Sequence, residues 1–328
     1  MGNKRKGLTL LAAALLALAP YAAAAAQELK SWRHGVIAPK GDAGFMLMVG
    51  TRGFGEKHGL KLEIVPLKNG ATAHKALLSG ELDSIESSPG ASILAGAHGA
   101  DIKIIGCDWP GVPHGLMVRS TISKVADLKG KTIAVAAPGS LPNLLINAIL
   151  EKYQIAPSDV RFANLGGDLD RYKAVLAGVA DAGIVAAEFM AIAPKDVTML
   201  VDGHDVLPNY VRLCLTMTGK TIADRRADAI NFVAAEMDAL RFAVSHRDDT
   251  IALTRETIHA KPDDVRTAYA YDDTIKRHAI DPAVTLPLDK LAWMQNELLK
   301  AGNLKEAIDL TKITAPDIRA EAAKRAAK

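Results

Sequence analysis

The sequence predicts an α/β protein of two lobes, each a sheet flanked by helices, followed by a helical C-terminal tail. Three observations predict it. Short apolar runs alternate with stretches of helical period as far as Cys107, the alternation restarts near Leu116, and beyond Ile222 the pattern is almost entirely helical.

Taken in order, Ser31–Ile37 reads as a strand and is followed by the loop APKGDAG. Phe45–His58 reads as a helix stopped by Gly59, KLEIVP alternates as a strand, and Ala71–Ser79 is helical. Leu82–Glu86 is a short strand, Ala91–His98 a helix and Ile102–Cys107 another strand. In the second series Thr132–Ala137, Val160–Leu165 and Gly183–Ala187 are strands, while Leu144–Tyr153 and Asp170–Ala177 are helices. Arg212–Met217 is one further strand, and INFVAAEMDALRFAV opens the helical remainder with apolar residues three and four apart. The chain is expected to cross between lobes near Gly115–Arg119 and to return near Val211–Leu215. One lobe then takes residues 27–115 and 212–328, and the other takes 116–211.

The first residues carry a different message. MGNKRKG is basic, LTLLAAALLALA is apolar, and Ala24-Ala25-Ala26 offers small residues for cleavage, so residues 1–26 read as a secretory signal peptide. The apolar stretch falls short of the ~20 residues that span a bilayer. The mature protein is therefore expected to be exported and free in solution.

Cleavage would remove Lys4, Arg5 and Lys6, taking the 40 basic residues to 37, equal to the 37 acidic ones. A neutral mature chain without a basic stripe gives no support to nucleic-acid binding. The two cysteines, Cys107 and Cys214, permit a disulfide in an exported protein, yet both lie in apolar contexts that suit buried thiols as well.

Several catalytic patterns fail. Gly130-Lys131-Thr132 resembles the end of a phosphate loop, but Val125 stands where the earlier glycine belongs, and the motif precedes its strand. Ser140 is flanked by Pro138 and Pro142 rather than by a nucleophile-elbow pattern. The nine histidines show no metal-ligand spacing. No catalytic residue, metal or cofactor is expected.

Four motifs in series carry a family resemblance: GFGEKHGLKLEIVP, ALLSGELDSIESSPGASILAGAHGADIKIIG, VADLKGKTIAVAAPGS and KAVLAGVADAGIVAAEF. Together they resemble periplasmic solute-binding proteins of the sulfonate, nitrate and taurine type. The resemblance implies the type II periplasmic binding protein fold, two lobes closing on one small solute, and a monomer that delivers the solute to an inner-membrane ABC permease. The chain departs from the family pattern at Lys40 and Asp42 in its first loop, and at Phe189 after Glu188.

Candidate ligand contacts follow from where strands turn into helices. The turn Pro138-Gly139-Ser140 should place the unpaired N–H groups of a helix start toward the cleft, with Asn143 one turn on. Ser87 and Ser88 form the corresponding turn in the first lobe, and Asn69 ends another strand there. Ser140 could equally be a plain helix cap, and Asn69 a plain turn residue. Trp109 and His114 precede the crossover, where an aromatic ring could cover an organic solute. Phe45 opens the first helix and Glu188 ends a strand. The expected solute is a small organic anion, a sulfonate or carboxylate. A flat heteroaromatic such as a thiamine-precursor pyrimidine is the alternative, and an enzyme on the same scaffold is the rival from another class.

Overall fold

The computed structural model describes residues 28–37, 40–67, 69–136 and 140–326. The proposed signal peptide and Gly139 lie outside them. The chain first lays down β1 (Lys30–Ile37), α1 (Ala43–Leu47), α2 (Phe54–Lys57), β2 (Leu60–Leu67), α3 (Gly70–Leu78), β3 (Ser84–Ser87), α4 (Pro89–Ala97) and β4 (Lys103–Trp109). It then builds β5 (His114–Arg119), β6 (Thr132–Val135), α5 (Leu141–Lys152), β7 (Arg161–Asn164), α6 (Asp168–Leu176), β8 (Ala182–Ala186) and β9 (Val197–Asp202). The strand β10 (Leu213–Met217) follows, and then α7 (Gly219–Asp224), α8 (Arg226–Ser245), α9 (Arg247–Thr257), α10 (Arg266–Lys276), α11 (Leu288–Lys300) and α12 (Pro316–Ala326).

These strands form two five-stranded sheets of the same plan, β2-β1-β3-β10-β4 and β7-β6-β8-β5-β9. In each, the first three strands run parallel, as helical crossovers require. The fourth, β10 or β5, is antiparallel to both of its neighbours and is the first strand after the chain arrives from the other lobe.

Three sequence expectations are corrected. The passage to the second sheet lies between Trp109 and His114, since Gly115–Arg119 sits inside β5. The continuous helix over Phe45–His58 is instead α1, a 3-10 turn and the short α2. Arg52 and Gly53 take left-handed φ angles of 54° and 75°, which no right-handed helix can contain. Strand β9 was not expected at all; it is an edge strand with only Val197 and Val201 buried along it, so its alternation is weak in sequence.

The helical remainder is no loose tail. Along α8, Phe232, Val233, Glu236, Met237 and Leu240 all face the interior, and the Phe232 ring stacks on Trp32 of β1 with 5.4 Å between centroids. Cys107 of β4 and Cys214 of β10 form a disulfide that brackets both crossings. The covalent loop so closed, 107 residues in sequence separation, contains the whole second sheet.

Candidate functional site

Because β1, β3 and β4 run parallel and β10 opposes them, one edge of the first sheet gathers the ends of β3 and β4 and the start of β10. Glu86, Ser87, Asp108, Trp109 and Arg212 stand there. By the same logic the facing edge of the second sheet gathers the start of β5 and the ends of β6 and β8. His114 and Ala186 are paired neighbours on that edge. Ligands of α/β folds sit at such strand ends.

The second-lobe edge is organised by Asp168, the first residue of α6. Its Oδ1 accepts from His114 Nε2 at 3.0 Å, from Arg171 Nη2 at 2.5 Å and from the Ala186 backbone N–H at 3.2 Å. Its Oδ2 accepts from Lys40 Nζ, which reaches across from the first lobe at 3.2 Å. Burial resists ionisation, but His114, Lys40 and Arg171 outweigh it and hold this carboxyl far below the usual range. The side chain of Arg171 is itself buried and donates to the Ile184 and Gly166 carbonyls, which ties the β7–α6 turn to β8. The bond from His114 Nε2 requires its proton there, leaving Nδ1 as a buried acceptor without a partner.

The first-lobe edge is of another kind. Glu86, Asp108 and Glu236 are each about 1% exposed. Both oxygens of Glu86, both of Asp108 and Oε2 of Glu236 meet no donor if the groups are bare carboxylates. A proton held between Glu86 and Asp108 resolves that pair. Burial drives Glu86 well up, with the Asp108 charge assisting, and pushes Asp108 to about 6. Burial likewise raises Glu236 well above the usual value. Nearby His34 lies tilted against the Phe232 ring, bonds Ser84 through Nδ1 and is pushed down to about 3 by burial, so it is neutral.

Arg212 is the cation among these acids. Its guanidinium lies 4.3 Å over the Trp109 ring, and Nη1 donates to Oδ2 of Asp42. Burial works against its charge, yet the Asp42 carboxylate bonded to it keeps it firmly protonated. Glu188, on the 3-10 turn after β8, packs against Gly41 so closely that a Cβ there would come within 2.1 Å of Oε2. Burial and the charges of Asp42 and Asp168 push Glu188 up to about 7. Between the lobes Lys40, Asp42, His114, Glu188, Arg212 and Asp273 line a cavity of about 30 Å³. Small-molecule sites run to ~300–1,000 Å³, so the cavity as it stands is too small for an organic solute.

The remaining candidates sort as follows. Ser140 is the N-cap of α5, but its side chain makes no capping bond, and its buried Oγ has no partner. Ser88 occupies the same position on α4, again without a side-chain cap, beside the Tyr210 hydroxyl. Ser87 Oγ is buried and unpartnered at the end of β3. Asn143 lies in the first turn of α5, where its Oδ1 accepts from Asn147 at 3.5 Å. Asn69 caps α3 by accepting from the Thr72 N–H at 3.0 Å, which makes it a helix cap. Phe45 is core, stacked on Tyr271 and edge-on to Trp109. Trp109 is 1% exposed beneath Arg212, so it supports the guanidinium and presents no open face to the cleft.

Sequence reading missed Asp168, Arg171, Arg212, Glu86, Asp108 and Glu236 as site residues. The signal was there for several of them: a lone charged residue inside or beside an apolar run, as in DSIESS, IIGCDW, YVRLCL and VAAEMDAL. Among the described residues no cluster of His, Cys, Asp and Glu is arranged to hold a metal ion, and no helix is long and apolar enough to cross a membrane.

The sequence profile of the family described as "NMT1/THI5 like" matches residues 42–250. A "Putative binding protein" of Brucella abortus (strain 2308) is 30% identical over 129 residues, 39% of this chain and 40% of that protein. The matched stretch is thus under half the length of that relative. A "Putative aliphatic sulfonates-binding protein" of Escherichia coli (strain K12) is 26% identical over 270 residues, covering 77% of this chain and 80% of that one. Among solved structures, the periplasmic aliphatic sulphonate binding protein SsuA from Escherichia coli superposes with a TM-score of 0.72 at 21% identity, over 87% of this chain and 92% of its own.

Proposed function

The chain belongs to the NMT1/THI5-like family, and from that premise we propose that it is an exported solute-binding protein of an ABC importer. It binds one small organic anion, a sulfonate or carboxylate, between its lobes, hands it to an inner-membrane permease and performs no chemistry. The observation that carries the reading is Arg212: a buried guanidinium at the first-lobe edge, on the wall of the interlobe cavity. Two hydroxyls on opposite lobes, Ser87 and Ser140, are buried without partners and stand ready to donate. The neighbouring acids do not oppose an anion as their number suggests, because burial keeps Glu86 and Glu236 protonated. Export rests on the signal-like residues 1–26 and on periplasmic relatives of the same fold.

A flat nitrogen heterocycle is the second reading. Its support is Glu188 on the wall of the interlobe cavity, a carboxyl that ring N–H and exocyclic amino groups could bond. A thermal-shift screen of alkyl and aryl sulfonates, carboxylates and neutral pyrimidines separates the two. Melting-point increases confined to anions are expected, with each solute recovered unchanged. Protection by pyrimidines and by no anion would overturn the first reading, and turnover of a bound solute would overturn the claim that no chemistry occurs.

A further inference from the structure

The first loop carries two charged residues, Lys40 and Asp42, and in the structure both have specific partners. Asp42 reaches Arg212 through a single carboxylate oxygen, and its Oδ1 is buried with no partner at all. Lys40 spans the cleft to Asp168 of the second lobe. Gly41, between them, lies against Glu188 with no room for a side chain. This three-residue segment therefore fills the space in front of Arg212, and the cavity left beside it is only about 30 Å³.

An ion pair built purely for stability would favour the two-toothed arginine–carboxylate geometry. Here the carboxylate belongs to a loop joining β1 to α1, and its second oxygen is wasted. We propose that Asp42 is a tethered stand-in for the anionic group of the solute, so that solute and loop compete for Arg212. This rests on the organic-anion reading of the cleft. Affinity is then set by the fraction of molecules in which the loop has withdrawn, and Asp42 becomes a determinant of specificity. Only solutes whose anionic head engages Arg212 better than one carboxylate oxygen does can displace it.

The test is calorimetric titration of the wild type, Asp42→Asn and Asp42→Glu with methanesulfonate, benzenesulfonate and benzoate. Asp42→Asn removes the competing charge at constant shape and should tighten binding of the best of the three about 10- to 100-fold, the weight of one charge-assisted hydrogen bond. Asp42→Glu keeps the competitor and should stay within about threefold of wild type. Unchanged or weaker binding by Asp42→Asn overturns the proposal. Should that variant not fold, stopped-flow mixing of the wild type decides. An association rate that levels off with anion concentration is expected, because loop withdrawal precedes binding; a rate that keeps rising linearly overturns the proposal. If no anion binds any variant, the organic-anion reading falls and this proposal with it, whereas binding without a gain in Asp42→Asn sinks this proposal alone.

Discussion

The two cleft edges are built on the same five-strand plan, yet they keep their carboxyls in opposite states. In the second lobe Asp168 is ionised despite burial, because His114, Arg171 and Lys40 surround it. In the first, Glu86 and Glu236 lie deeper, about 1% exposed against 13% for the Asp168 side chain, the guanidinium beside Glu86 is already given to Asp42, and burial leaves both acids protonated. Depth and partners set the charge together. One edge is thus a rigid electrostatic anchor. The other sets two buried, protonated acids, Glu86 and Glu236, near a single cation that the proposed solute would claim.

The largest test of that opposition is covalent. Replacing Cys107 and Cys214 with Ala frees the loop that carries the second sheet, and should lower stability by about 4–5 kcal/mol, the entropic weight of closing a loop near 100 residues. Urea unfolding would measure it; a loss under about 1 kcal/mol would mean the lobes hold together without the bridge. Next, Asp168→Asn strips the anchor and strands the buried Arg171, at a cost of about 3 kcal/mol. A small effect there would contradict the claim that Asp168 is ionised.

In the first lobe the matching change should be nearly silent. Glu236→Gln replaces a group that is already neutral, so it should cost under about 1 kcal/mol at pH 5. The pH dependence separates the lobes further. The lowered Asp168 contributes stability that is full above the unfolded carboxylate range, near pH 4, and is lost as pH falls toward its folded value. The raised Glu86 and Glu236 contribute stability that is full below that range and is lost as pH rises toward theirs. Each retained proton gives a slope of up to about 1.4 kcal/mol per pH unit, so Glu236→Gln should flatten the decline above pH 5. An unaltered slope would mean that Glu236 is ionised in the folded protein. Smallest and most local, Ser140→Ala should weaken solute binding by about 1–3 kcal/mol and leave stability almost untouched, since Ser140 makes no capping bond. Equal affinity would reduce it to a turn residue.

Much of this architecture was legible in the chain. Parallel strands demand helical crossovers, so the alternation of periods located most of the strands and helices before any coordinates, with ends displaced by a few residues. The Ser-Pro turn at Ser88 and the Ser140 turn were legible too, because a strand entering a helix must leave donors unpaired. What escaped depended on packing. The break at Arg52-Gly53 turns on backbone angles that composition barely marks, and β9 is a half-exposed edge. The disulfide could not be chosen over buried thiols until β4 and β10 were known to be neighbours. The charged hub escaped for the same reason: Asp168 and Lys40 are 128 residues apart, and Asp42 and Arg212 are 170 apart. Only the folded chain makes them partners.

The most direct test is a crystal structure of the protein grown with the tightest-binding sulfonate or carboxylate of the screen. The anionic group should lie within ~3 Å of the Arg212 guanidinium, with the Ser87 and Ser140 hydroxyls turned toward the solute and Asp42 displaced. An anion bound elsewhere, with Asp42 still on Arg212, would contradict the account.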